Sequence, residues 1–241
     1  RRVCRGTRHG GGDLRMTAVG GAEASRGLSM DAVVLAGGRG SRLGGVDKAG
    51  IVLNGERLVD RAVAAARANG AECVVIVGPG SAQTRNSILV REDPPLTGPL
   101  AALAAALPEV QAESLLLLSC DLVLPSEVCR MLAAHSIPAE FDGVVLRDRD
   151  QRPQWLAGVY RVAALRAEFA RLGASIDHAP LRTVLSELLL QWIDAPAHVT
   201  ADIDEAPDLD RARSALERVS TGSDSDSSAA STAHEDKDAH G

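Results

Sequence analysis

The feature that most constrains this chain is a repeated unit: a short, unbroken apolar run, stopped by glycine or an acid, then a segment with helical period. Residues 32–36 (Ala-Val-Val-Leu-Ala) stop at Gly37-Gly38, residues 73–77 at Gly78-Pro79-Gly80, and residues 114–119 at Cys120-Asp121. A run that is apolar at nearly every position is what a strand buried on both faces needs. Helical periods cover residues 58–69, closed by Gly70, and residues 99–107, opening on Pro99. A third runs to residue 135, with Ser126 expected as its N-cap. Residues 88–90, 143–147 and 155–160 read as further strands, and 162–172, 181–189 and 207–218 as further helices. This alternation predicts an α/β chain: a three-layer, Rossmann-like fold with a mostly parallel central sheet. Loops gather at the strand carboxyl ends, where such sheets bind ligands.

Composition narrows the function classes. Apolar residues make up 45% and charged residues 24%, the balance of a folded globular chain, while aromatics at 2% leave the core to Val, Leu, Ile and Ala. A net charge of −6 argues against a nucleic-acid-binding surface. No apolar run approaches the ~18 residues of a membrane span. Cys4, Cys73, Cys120 and Cys129 form no C-x-x-C pair, and with no secretory signal they read as buried thiols of a cytoplasmic protein. None of the six histidines draws a role. Residues 1–30 carry six Arg against Asp13 and Glu23, with Gly10-Gly11-Gly12 and no hydrophobic period. They are expected to be a disordered extension, with Met16 or Met30 as the biological start. Residues 220–241, a Ser/Asp-rich tract with five acids and one Lys, are expected to be a disordered acidic tail. One domain, 31–219, remains.

The loop behind the first run reads Leu35-Ala36-Gly37-Gly38-Arg39-Gly40-Ser41-Arg42-Leu43-Gly44-Gly45-Val46-Asp47-Lys48. Glycines directly after a strand let backbone N–H groups approach an anion closely. The order fits neither a Walker A loop nor a dinucleotide fingerprint, since Leu43 stands where the third glycine belongs. Lys48 sharpens the reading. The chain holds 24 Arg and only two Lys, the other being Lys237. A compact ammonium suits a triphosphate, whose oxygens must be met from one small volume. The alternatives are a flexible glycine turn and a solvated lysine. Asp121 is expected at the carboxyl edge of the sheet, either as a ligand of Mg²⁺ or as a cap of the next turn. Asp93 also follows a strand, and Gly98-Pro99 opens a helix whose N-terminus favours an anion. Asp202 and Asp204 share one side of an extended segment, as a second metal contact or as solvated acids.

Together these segments resemble the molybdenum cofactor guanylyltransferases and related MobA-like nucleotidyltransferases. The resemblance runs through Leu35-Ala36-Gly37-Gly38, Arg42-Leu43-Gly44-Gly45-Val46-Asp47-Lys48, Gly98-Pro99-Leu100-Ala101, Cys120-Asp121, Val159-Tyr160-Arg161, Asp202-Ile203-Asp204 and Pro207-Asp208-Leu209, over residues 31–216. It implies Mg²⁺-dependent transfer of GMP from GTP to the phosphate of molybdopterin, with release of pyrophosphate. Leu35, Ala36, Gly37 and Gly38 would hold the base and sugar. Lys48 and Arg42 would stabilise the phosphates, Asp93 would contact the nucleotide, and Asp121 would meet both nucleotide and Mg²⁺. Asp204 would add a second metal contact. Apart from the resemblance, the polar loop before residues 155–160 suggests Arg152 and Gln154 for the acceptor side, and the chain is expected to act as a monomer or weak homo-oligomer. Three positions depart from the family: Leu43 for Met, Gly78 where the guanylyltransferases carry Asn, and Asp202-Ile203-Asp204 for Asn-x-Asn. They keep sister readings open, namely cytidylyl transfer to molybdopterin or transfer from an NTP to another small phosphorylated acceptor. A non-catalytic nucleotide-binding protein and a dinucleotide-dependent oxidoreductase are the remaining readings.

Overall fold

The computed structural model describes residues 29–37, 47–173, 176 and 178–222. Its elements run β1 (Met30–Leu35), a small hairpin of β2 (Val52–Leu53) and β3 (Glu56–Arg57), α1 (Leu58–Ala68), β4 (Val74–Val77), β5 (Ile88–Val90) and α2 (Pro99–Ala106). There follow β6 (Ser114–Ser119), α3 (Pro125–Ala133), β7 (Gly143–Arg147), β8 (Pro153–Arg161), α4 (Val162–Leu172), α5 (Arg182–Leu185), β9 (Leu190–Asp194) and α6 (Ala206–Gly222). Seven strands form one sheet in the order β5-β4-β1-β6-β8-β7-β9. The first four are parallel, β8 runs antiparallel to both its neighbours, and β9 is parallel to β7. The sheet is therefore mostly parallel, as the continuous apolar runs require.

Each central strand feeds two cores. In β1, Ala32 and Val34 face α1 and α3 through Val59, Ala62, Val128 and Leu132. Val33 and Leu35 face α2, α4 and α5 through Leu100, Leu103, Leu165 and Leu185. Three layers result. A third, small cluster joins the hairpin to α6 through Leu53, Leu58, Ile203 and Ala212. At the sheet's other edge, buried Asp31 ties three chain segments together. Its carboxylate accepts the Cys73 N–H at 3.0 Å, the Gln111 N–H at 2.8 Å and the Ala112 N–H at 3.0 Å.

Several expectations need correcting. Pro125 is the first residue of α3 and no side chain caps that helix, so Ser126 lies inside the first turn. Pro at this position fits a helix start, because its missing N–H is one of the unpaired donors there anyway. The expected helix over 181–189 is only the four residues of α5, and the sheet's last strand, β9, follows it directly. The hairpin, turning through Asn54 and Gly55 at positive φ, was not expected. Ser29 and Met30 belong to the sheet: the Ser29 carbonyl accepts from the Ser114 N–H and hydroxyl. α6 continues to Gly222; of the expected tail, 223–241 lies outside the described residues, as do 1–28.

Candidate functional site

Four chain segments meet at the carboxyl edge of the sheet. Beyond β1 the chain continues through Ala36 and Gly37. Beyond β4 comes Gly78, where an added Cβ would sit 3.1 Å from the Ala36 carbonyl carbon. Beyond β6 stands Asp121, and beyond β5 comes Glu92. The loop from Gly38 to Val46 lies outside the described residues, which leaves the expected roles of Gly38 and Arg42 there. It ends at Asp47, whose Oδ1 accepts the Ala49 N–H at 3.1 Å and so caps the short turn Lys48–Gly50. Its Oδ2 accepts the Ser81 hydroxyl, fastening this turn to the loop behind β4.

Lys48 is the centre of the arrangement. Its Nζ donates to Asp121 Oδ2 at 2.8 Å and to Asp204 Oδ1 at 2.5 Å. Asp204 lies 156 residues from Lys48 along the chain, and backbone pairing explains how it arrives. The Val123 N–H donates to the Ala201 carbonyl at 2.9 Å, and the Ile203 N–H to the Asp121 carbonyl at 3.0 Å. This short antiparallel clasp lays residues 201–204 beside the end of β6, with Ile203 buried beneath. Asp208, in the first turn of α6, accepts the Asp204 and Glu205 N–H groups at 3.1 and 2.7 Å and fixes the turn. Asp202 does not reach Lys48 by a direct bond. It is exposed nearby, on the wall of the cavity described below.

The electrostatics follow from this packing. Burial pushes the Lys48 pKa down, but hydrogen bonds and charge from Asp121, then Asp204, outweigh it and raise the ammonium above its ordinary value. Lys48 is therefore a fixed positive charge. The Asp202 carboxyl is raised, first by burial and then by the Asp121 and Asp204 charges. The Ser119 hydroxyl donates to Asp121 Oδ1, so both oxygens of this carboxylate are held. Cys120 and Cys129 are buried thiols pushed up by burial, the latter to about 12, and are unsuited to nucleophilic chemistry.

Open space lies beside this cluster in two places, which meet at Pro99, Ser119 and Leu156. The first holds two adjoining clefts of about 250 and 300 Å³, which share Gly37, Glu92 and Leu96. Of the expected nucleotide-binding residues, Leu35, Ala36 and Gly37 line these clefts. Asp93 does not; it is exposed, and its buried neighbour Glu92 faces the clefts instead. The second is a cavity of about 450 Å³, lined by Asp121, Gln154, Trp155, Arg182 and Asp202 among others. Arg152 is exposed and lines neither space. Sequence reading gave no role to Glu92 or Ser119, although both lie beside the expected Asp93 and Asp121, nor to Ser81 and Arg182, which have no motif around them.

The donor set can be tested against a divalent metal. Asp121 and Asp204 present hard carboxylate oxygens to one point, which suits Mg²⁺ completed by phosphate oxygens. Asp121 and Asp204 both bond the one ammonium and Asp202 adds a third carboxyl group nearby, so an anionic triphosphate would need added positive charge to settle there. The residues fit the ion. No cluster of three or more His, Cys, Asp or Glu stands ready to hold a metal unaided among the described residues. Nor, among them, is any helix long and apolar enough to cross a membrane.

Comparison with known proteins gives the arrangement its context. A guanylyltransferase of the molybdenum cofactor from Shewanella sp. (strain MR-4) is 35% identical over 114 residues, 44% of this chain and 57% of that protein. The same enzyme from Shewanella amazonensis is 35% identical over 112 residues, with the same coverage. The chain thus spans just over half the length of these curated relatives. Among solved structures, the molybdopterin-guanine dinucleotide biosynthesis protein A of Archaeoglobus fulgidus superposes with a TM-score of 0.58 at 19% identity, over 78% of this chain and 99% of that one. The inositol-1-phosphate CTP transferase of T. maritima superposes with a TM-score of 0.61 at 19% identity, over 81% and 98%. At such identities the likeness is one of fold. The family described as the MobA-like NTP transferase domain matches residues 32–192, from β1 into β9. With that match spanning the whole sheet, the chain belongs to the MobA-like NTP transferase family.

Proposed function

We propose that this chain is a nucleotidyltransferase that moves GMP from GTP to the phosphate of a molybdopterin-type acceptor and releases pyrophosphate. The observation that carries the reading is Lys48, held charged between Asp121 and Asp204, with Asp121 on the wall of a cavity that shares Pro99, Ser119 and Leu156 with the cleft beyond Gly37. A two-substrate transfer needs this layout. The nucleotide occupies the Gly37 side, the acceptor the Gln154 side, and the α-phosphorus lies between them. An acceptor phosphate oxygen bonds to the α-phosphorus as the bond to the bridging β-phosphate oxygen breaks, and pyrophosphate leaves with that electron pair.

The chain's own residues position and neutralise, as phosphoryl chemistry requires. Lys48 gives no proton, because its neighbours keep it charged; it meets phosphate oxygens as a point charge. Asp121, oriented by Ser119 and Lys48, and Asp204 would hold Mg²⁺, which when bound neutralises phosphate-oxygen charge. Gly37 and the close Gly78–Ala36 approach leave room for the nucleoside. No protein nucleophile is required. A second reading, transfer from CTP, is favoured by Gly78, which puts no side chain at the position where Asn is expected in the guanylyltransferases, and where a Cβ would crowd Ala36 at 3.1–3.2 Å.

Pyrophosphate release tests the proposal, measured with each of four NTPs, with and without molybdopterin and Mg²⁺. Release from GTP that needs both additions supports it. Release that ignores the acceptor contradicts it, and preference for CTP selects the second reading.

A further inference from the structure

Resting on the nucleotidyltransferase reading, we infer that Glu92 is the residue that reads the base, and that its carboxylate selects guanine by accepting from the N1–H and N2–H₂ edge. Three observations converge. First, Glu92 is nine-tenths buried, at 9% exposure, on a loop whose flanking residues, Arg91 and residues 93–96, are exposed. Burying a carboxylate is costly unless donors surround it. The described residues supply one: the Leu96 N–H donates to Oε1 at 3.0 Å, and Oε2 has no hydrogen-bond partner among them. Second, Glu92 lines both clefts on the Gly37 side, one of three residues they share. Third, Gly78 on the same cleft offers no side chain, and a Cβ there would press on the Ala36 backbone at 3.1–3.2 Å.

Leu96 completes the device. It holds φ +64°, uncommon for a residue with a side chain, and 46% of it is exposed over the shared part of the clefts. The Glu92–Leu96 hydrogen bond fixes that conformation and presents an apolar surface beside the carboxylate. A flat base can lie against Leu96 while its edge meets Glu92. An ionised carboxylate only accepts. Guanine offers two adjacent donor groups, N1–H and N2–H₂. Cytosine and adenine each offer one amino group beside a ring-nitrogen acceptor, and uracil offers one N–H between two carbonyls. Guanine is the best match.

Equilibrium binding of GTP, ITP, CTP and UTP to the full chain with Mg²⁺ tests this, comparing wild type with Glu92→Gln. Inosine lacks the N2 amino group, so ITP isolates that contact. Gln keeps the shape and can still accept from the Leu96 N–H. Wild type is expected to bind GTP most tightly, and Glu92→Gln to lose about tenfold to a hundredfold for GTP, with the GTP:ITP ratio moving towards one. A thermal melt unchanged from wild type accompanies that loss. An equal loss for all four nucleotides, or an unchanged GTP:ITP ratio, overturns the inference and leaves the nucleotidyltransferase reading standing. A wild type that prefers CTP or UTP overturns it likewise. Binding of none of the four overturns both.

Discussion

Replacing Lys48 by Ala tests how charge is balanced at the site. Asp121 is 13% exposed and Lys48 19%, so their bond is worth close to a charge-assisted hydrogen bond, about 1.5–3 kcal/mol. Asp204 is 45% exposed, and water screens its bond to about 1 kcal/mol or less. The variant regains the cost of burying the ammonium, so the net loss is about 1–3 kcal/mol, or about 3–10 °C in melting temperature for a chain of this size. The pH dependence is the sharper signature. Without Lys48 the Asp202 carboxyl, already raised by burial and by the Asp121 and Asp204 charges, loses the one nearby cation that lowers it, and its folded pKa rises further. A raised carboxyl favours the folded state below its unfolded pKa, and that contribution is lost as pH rises through the folded value. The deficit of Lys48→Ala against wild type is therefore largest near neutral pH and shrinks as pH falls into the carboxylate range. Denaturation of wild type, Lys48→Ala and the control Lys237→Ala across that range measures it. A deficit that grows towards acid, or a variant as stable as wild type at neutral pH, refutes the charge accounting.

Other expectations follow from the same contacts. Asp121→Asn keeps the shape and loses the charge: the fold survives with about 1 kcal/mol of lost stability, while metal-dependent turnover falls by at least ~100-fold. Near-normal turnover in a steady-state assay would remove Asp121 from the site. Asp31→Ala strands three N–H donors far from the clefts, so chemical denaturation is expected to show a loss of about 3 kcal/mol with activity per folded molecule unchanged; Asp31→Asn, with one acceptor oxygen left, recovers part of it. A fragment of residues 29–222 is expected to melt as the full chain does, whereas one cut to 31–219 melts earlier because it loses the Ser29 bonds to the start of β6.

The parts of the fold legible in the sequence are those with a local cause. The runs at the centre of β1, β4 and β6 are continuously apolar and end within a few residues in glycine or an acid, which fixes both their burial and the edge at which ligands gather. β9 escaped because Leu188, Leu189 and Leu190 continue the apolar pattern of α5 with only Ser186 and Glu187 and no glycine or proline between; the strand is set by pairing with β7, a non-local cause. The site divides in the same way. Lys48 and Asp121 stand out beside glycines and at a strand end. The role of Asp204 depends on the 201–204 clasp against residues 121–123, which no spacing announces. On the loop after β5, Asp93 is exposed and its neighbour Glu92 is buried beside the clefts, a difference that no spacing in the sequence announces.

The central claim is that the α-phosphorus, with its nucleoside, is the group transferred. Incubation with molybdopterin, Mg²⁺ and GTP labelled at either the α- or the γ-phosphate follows each atom directly. The α-label is predicted to appear in a product joined to the acceptor and the γ-label in pyrophosphate, with both signals lost in Asp121→Asn. Transfer of the γ-label to the acceptor, or its release as inorganic phosphate while the acceptor stays unlabelled, would contradict the account.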